Sequence, residues 1–392
     1  MDERRQLRWL MVYAALTYPF VCVPFLYFHF RDHGVLVEQY HDMIAVYYAA
    51  MVLLEVPTGM LADRFGRAKA LVVGPIVQAI GYAVLAFGHT FFAFCVGQVV
   101  LGLGHSIVSG PPSALLFETL ARSGRQREFL RLESRVHAIR LLGTASAFLL
   151  GGFVVAWWGI EPAIWATIAL HGLGSLAALR LVEAEKGPHG ARTFAALVAS
   201  GRRDLADPAV RWVAMYFVLL FFLLRYCFHT YQPFLEAARD ENPLLIGGLY
   251  AAMNLFAAPW ANIAGRAVAR LGAFVVWLGM LAMLGVSLVA MAGAVSTLGI
   301  AMMVLHQVPL GMHWGLIQSL VNHRLGPAAR ATTLSVLSFL ARLVFAALFP
   351  LVGRLHQAHG LPVAYLTVGG TGLVLGVLCM LRGRKYLGGV GI

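Results

Sequence analysis

Charge is scarce in this chain. Asp, Glu, Lys and Arg together make up 12% of 392 residues, about half the share of an ordinary globular protein. Apolar residues supply 60%. A soluble domain of this length has too little interior to hide that much apolar surface, whereas a bilayer takes ~20 apolar residues per spanning helix. Cysteine is rare too. Cys22, Cys95, Cys227 and Cys379 all fall inside apolar runs, with neither disulfide nor metal-ligand spacing, and read as free thiols. No phosphate-binding G-x-x-x-x-G-K-[ST] run is present, which excludes ATP hydrolysis within this chain. The net charge of +12 is not accompanied by a basic-aromatic surface module, so nucleic acid is not an expected partner. No nucleophile clusters with a base near one interface, so the chain does not read as an enzyme, and no cofactor is expected. Met302, Met303 and His306 are too loosely spaced to make a metal site. No small-residue cleavage site follows the first apolar run, Trp9 to Phe30, which is expected to stay as a membrane span.

What the chain does have is a succession of long apolar runs. Spans are predicted at 9–30, 42–62, 70–88, 90–119, 133–157 and 162–182, then at 209–235, 243–264, 273–291, 297–320, 332–353 and 361–382. A polar stretch, 183–208, holding Glu183, Glu185, Lys186, Arg202 and Arg203, separates two sets of six. The expected organisation is an all-α membrane protein of 12 transmembrane helices: a six-helix bundle over 1–182, a cytoplasmic linker over 183–208 and a second, pseudo-symmetric bundle over 209–392. Most Lys and Arg outside the spans fall on one side. Only Arg31, Arg239 and Arg354 fall on the other. The positive-inside rule then puts both termini in the cytoplasm, and the expected location is a bacterial inner membrane.

The densest charged turn lies between the second and third spans: Gly59-Met60-Leu61-Ala62-Asp63-Arg64-Phe65-Gly66-Arg67-Ala68-Lys69-Ala70-Leu71. It resembles the signature loop of the major facilitator superfamily (MFS), G-x-L-A-D-R-x-G-R-[RK]-x-x-L. Glu55-Val56-Pro57-Thr58-Gly59 leads into it, similar to the E-x-P-T-G variant of bacterial drug-efflux-like members. Ala269-Arg270-Leu271-Gly272 lines up with Asp63-Arg64-Phe65-Gly66 as a degenerate second copy. The resemblance implies the MFS fold. It also implies a conformational latch built from Gly59, Asp63, Arg64, Gly66 and Arg67, with Glu118 as a second acid. In that family the loop's acid meets the start of the eleventh helix, here Ala331-Thr332-Thr333, and a carboxylate there would satisfy orphan amides. The alternative is a solvated loop that only fixes orientation.

Two family features are missing. The helix-4 arginine linked to proton coupling is Gln98 here, four residues before Gly102. The helix-5 antiporter pattern keeps Gly143, Ala147, Gly151 and Gly152 but has Phe148 in place of proline. Both weaken the familiar drug-exporter scheme while leaving a small-residue packing face.

Substrate in this fold sits near the midplane. At 1.5 Å per residue, His105 and His313 fall near the middle of equivalent spans. Histidine titrates near neutral pH and suits a proton carrier; a neutral ring bonded to a carbonyl is the plainer reading. Glu55 either titrates or forms a structural ion pair. Arg225 and Arg342 are also deep and need an acid, carbonyls or an anionic ligand. Asp42, Glu55 and Glu118 lie towards span ends, so the deep cations point to an anionic or zwitterionic substrate. Arg140 reads as shallower and structural. Tyr18, Gln98, Tyr226 and Gln307 complete the substrate-binding candidates.

The expected function is secondary active transport by alternating access: proton-coupled export of a small amphipathic, anionic organic compound by a monomer. The partners are that small molecule, a proton or other coupling ion, and the lipid bilayer. Symport uptake of an organic anion, and transport of a lysolipid or lipid-linked molecule, are the alternatives.

Overall fold

The computed structural model describes residues 3–183, 199, 203, 205–324 and 327–387. Fifteen α-helices and two short 3-10 turns account for nearly all of the described residues, which contain no strand. Ten helical stretches are long and apolar enough to cross a membrane. The linker expected over 183–208 lies mostly outside the described residues.

The first apolar run is not one helix. α1 (Glu3–Thr17) stops, a 3-10 turn follows at Val23–Phe25, and α2 (Leu26–Asp32) resumes. Pro19 is the cause: it offers no N–H and disfavours helical geometry at Tyr18. The interrupted main chain is met by threonines. Thr17 Oγ1 donates to the Tyr13 carbonyl at 2.8 Å, Thr144 Oγ1 donates to the Tyr18 carbonyl at 2.9 Å, and the Cys22 amide donates to Thr167 Oγ1 at 3.3 Å.

α3 (Val37–Phe65) and α4 (Arg67–Phe87) follow. The predicted fourth span is also divided, into α5 (Phe91–Val108) and α6 (Pro111–Arg122). Gly110 and the Pro111-Pro112 pair set that break. α7 (Phe129–Trp158) and α8 (Ile160–Ala178) finish the first half. In the second half come α9 (Pro208–Ala237), α10 (Pro243–Leu271), α11 (Ala273–Gly293), α12 (Thr297–Leu305), α13 (Gln307–Arg324), α14 (Pro327–His359) and α15 (Leu361–Leu387). The predicted tenth span divides into α12 and α13 at His306, because Pro309 cannot donate to the Leu305 carbonyl.

Contacts group the chain into two compact units. One comprises Met1–Val35, Val46–Thr193 and Asn242–Ala252; the other comprises Leu36–Ala45, Phe194–Glu241 and Met253–Ile392. The first turns of α3 and of α10 therefore cluster away from the rest of their own helices.

In the first unit, Leu7, Leu10, Tyr13, Leu71, Leu115, Leu116 and Leu120 form a buried cluster joining α1, α4 and α6. Large apolar side chains also cover the outside: Phe92 is 77% exposed and Trp157 and Trp158 are each 69% exposed, as suits a lipid-facing surface with interfacial aromatics.

The second unit has an aromatic interior. Trp212, Tyr216 and Trp277 pack together, and Phe345 stacks on Phe349 at 4.6 Å. His41, fully buried, lies 4.4 Å from the Phe349 ring and 5.7 Å from His356. It fits a notch on α14 that exists because residue 353 has no side chain: a Cβ on Gly353 would come within 2.5 Å of the His41 Cβ. Gly353→Val is expected to lower stability by ~1–3 kcal/mol through overpacking, read as a lower unfolding midpoint in detergent. An unchanged midpoint would show that the notch does not hold His41.

Candidate functional site

The signature turn is tighter than the sequence implies. α3 continues to Phe65, so Asp63 and Arg64 belong to its last turn and Gly66 alone separates it from α4. Gly66 has φ +118°, a region closed to most L-residues. Gly272, in the degenerate copy, has φ +82° between α10 and α11. The same one-glycine joint therefore occurs in both halves.

Arg67 pairs with Glu118 and reaches Asp63 at 3.4 Å. The acid that caps α4 was not among the expected residues. Glu183 accepts from the Arg67 amide and from the Ala68 amide, each at 2.8 Å. A carboxylate placed there satisfies two orphan donors and opposes the positive helix end. Its position is fixed by the preceding residue: Gln6 Nε2 donates to the Val182 carbonyl at 2.8 Å, and the Val182 amide donates to Gln6 Oε1 at 3.0 Å. The signal in the sequence was an acid directly after the last apolar residues of the sixth span. Arg64 lies over the Phe65 ring, and Gly59 faces open space. The expected meeting of Asp63 with the start of the eleventh span involves Ala331 and Thr332, whose side chains lie outside the described residues.

The interior candidates divide between the units. In the first, His105 Nδ1 is 3.1 Å from the Leu101 carbonyl, and its ring lies 5.5 Å from Tyr47 and 6.0 Å from Phe20. Gln98 is buried in α5. Glu55 is half-buried. Because α3 continues to Phe65, Glu55 lies farther from the helix end than its predicted span placed it. Tyr18 stands at the break after α1, and the Arg140 guanidinium lies 4.1 Å from its ring centroid. α7 begins at Phe129, so Arg140 sits about three turns along the helix, one turn more than the predicted start at residue 133 gives.

In the second unit, His313 Nδ1 lies 2.9 Å from the Leu310 carbonyl and 3.1 Å from the Pro309 carbonyl, and its ring stacks on Phe217. Arg225 lies over the Phe221 ring at 5.3 Å. Phe217, Phe221, Arg225 and His229 follow one another at four-residue intervals and so share a face of α9. Tyr226 is fully buried, with a hydroxyl that finds no hydrogen-bond partner. Arg342 is half-buried near the middle of α14.

Gln307 belongs to a network that composition and spacing did not reveal. Its Nε2 donates to the Tyr231 hydroxyl at 3.2 Å. Tyr231 lies 2.9 Å from His306 Nδ1, and His306 Nε2 lies 2.5 Å from Ser287 Oγ. Ser287 Oγ in turn donates to the Leu284 carbonyl at 2.9 Å. With the serine proton spent on that carbonyl, Ser287 accepts from His306 Nε2–H, which leaves Nδ1 to accept from Tyr231. The signal was available as His306 beside Gln307, three residues before Pro309. Among the described residues, no group of three or more His, Cys, Asp or Glu could hold a metal ion.

Broken helices with buried polar groups beside them are the arrangement of a transporter's interior, and known proteins agree. The Major Facilitator Superfamily model matches residues 10–350. An uncharacterised transporter of Buchnera aphidicola is 27% identical over 104 residues, 26% of this chain and 24% of that protein. The drug efflux pump JefA of Mycobacterium tuberculosis is 27% identical over 180 residues, 45% of this chain and 34% of that protein. The chain thus spans about a quarter to a third of the length of these curated relatives. A variant of the nucleoside transporter NupG superposes with a TM-score of 0.80 at 14% identity, covering 97% of this chain and 100% of that one, which shows a shared fold. The chain is a multi-pass membrane protein and belongs to the major facilitator superfamily.

Proposed function

We propose that this secondary transporter moves a small amphipathic organic anion by alternating access, coupled to protons and directed outward. Arg225 carries the reading. It is a permanent cation near the middle of α9, on a face otherwise made of Phe217, Phe221 and His229. Among the described residues no ion pair joins it to an acid. A guanidinium at such depth is stabilised by an anionic ligand. The rings on the same face supply the apolar contact that an amphipathic body requires. The efflux activity named for the mycobacterial relative supports the outward direction. The signature turn, with Gly59, Asp63, Arg64, Gly66, Arg67 and Glu118, serves as the latch between conformations. His105, His313 and Glu55 are the candidate proton carriers.

The test is proton uptake or release when organic acids are added to purified protein in weak buffer, repeated with His105→Ala and His313→Ala. A ligand-linked proton signal that disappears in one variant is the expected result. Binding without proton movement in the parent protein would remove proton coupling from the reading. Normal transport by Arg225→Ala would remove the anion.

A further inference from the structure

The break after α1 places a second cation where a ligand can use it. We infer that Arg140, held on the face of Tyr18, forms a carboxylate-binding subsite in the first unit. The inference rests on the reading of the chain as an organic-anion transporter and adds to Arg225 a further contact for such an anion.

Three observations converge on Arg140. First, its guanidinium has no acid. Among the described residues no ion pair includes it, and its Nε is buried without a hydrogen-bond partner. Glu133, on the same face of α7 two turns earlier, lies about 10 Å along the helix and already accepts from Ser113 Oγ at 2.6 Å. His137 lies between them, and Tyr13 faces the group from α1. Second, the guanidinium is oriented. At 4.1 Å from the Tyr18 centroid it is held against the ring, which leaves its edge donors for a planar, bidentate acceptor. Third, the main chain at the break does not need it. The Tyr18 carbonyl is taken by Thr144 and the Cys22 amide by Thr167. An arginine is therefore positioned, desolvated in part and left with unused donors, at the place where a span loses its helical hydrogen bonds.

A carboxylate fits better than a single-point acceptor. It offers two coplanar oxygens to the guanidinium fork, and its charge offsets the cost of burying the cation. The same break presents Phe20, whose ring lies 6.0 Å from His105 and 5.5 Å from His171, as a shelf for an apolar body. The substrate class is thus a carboxylate with an apolar or aromatic portion.

Arg140 also opposes the carbonyl end of α1, where any cation is favourable. Lysine would do that as well as arginine but lacks the planar fork. The experiment uses the purified full-length chain and three probes: benzoate, 3-phenylpropionate and octanoate, each paired with its amide. Binding is measured for the parent protein and for Arg140→Lys, Arg140→Gln, Tyr18→Leu and the surface control Arg31→Gln. At least one acid should bind ten-fold or more tightly than its amide. Both Arg140 variants should lose that preference, Tyr18→Leu should reduce it several-fold, and Arg31→Gln should keep it. Arg140→Lys should retain the parent unfolding midpoint, so that its loss reports the missing fork rather than the fold. An equal affinity for every acid and its amide in the parent, or a preference that survives Arg140→Gln or Arg140→Lys, overturns the subsite. Proteoliposome uptake of the same acids separates the two readings. An acid that binds through Arg140 without being moved leaves the subsite standing and refutes the transport of such anions. An acid moved equally by Arg140→Gln does the reverse.

Discussion

His306→Leu is expected to be among the most damaging single substitutions in the chain. The imidazole is 1% exposed and lies at the joint between α12 and α13. It accepts from Tyr231 on α9 and donates to Ser287 on α11, with the Tyr231 ring stacked 5.7 Å away. Leucine keeps the volume roughly but leaves a phenol and a hydroxyl oxygen buried with one partner fewer each. Each such group costs ~1–3 kcal/mol. Single interhelical hydrogen bonds in membrane proteins are worth nearer ~0.6 kcal/mol, because the unfolded chain in the membrane also finds partners. Two losses in one chain of bonds, with stacking lost as well, give about 2–4 kcal/mol. Thermal unfolding in detergent reads this directly. The double variant with Ser287→Ala tests the network: removing the serine first should make His306→Leu less costly, since residues in one network are not additive. A loss under ~0.5 kcal/mol, or strictly additive losses, would show that the histidine is an independent filler rather than the link between three helices.

This network marks the limit of what the sequence discloses. The membrane class, the helical fold and the signature turn follow from local composition, and all are visible without coordinates. Polar contacts between helices are not local. Tyr231, Ser287 and His306 are far apart in the chain, and their meeting depends on how α9, α11 and α12 rotate about their axes. Proline was under-read for a different reason. In a bilayer an apolar run remains a span whether or not its helix is continuous, because neighbours can satisfy the freed groups. Hydropathy therefore hid the breaks that Pro19, Pro111 and Pro309 make. The start of the helix that carries Arg140 was placed late because α7 begins at Phe129, before the apolar run does. The outer turns of a long helix are charged, and hydropathy cuts them off.

Gly66→Val should combine two penalties that the signature turn keeps apart. At φ +118° a β-branched residue is strained, at a cost of ~1–3 kcal/mol. Its Cβ would also stand 2.6 Å from Glu183 Oε2, pushing the carboxylate off the two amides it caps. That cap is worth ~0.3–1 kcal/mol at an exposed helix end and up to ~2 kcal/mol where partly buried. The expected total is about 2–4 kcal/mol, with transport falling in step. Glu183→Ala alone should cost ~1–2 kcal/mol. In that background Gly66→Val should lose less than in the parent, because the collision is gone and only the strain remains. Glu183→Gln separates charge from hydrogen bonding: it keeps an acceptor for one amide and gives up the charge. If it matches the parent, the turn needs the acceptor alone. If it matches Glu183→Ala, the negative charge at the α4 end is what matters. A full Gly66→Val loss in the Glu183→Ala background would assign the whole effect to the backbone and leave Glu183 without a part in holding the joint.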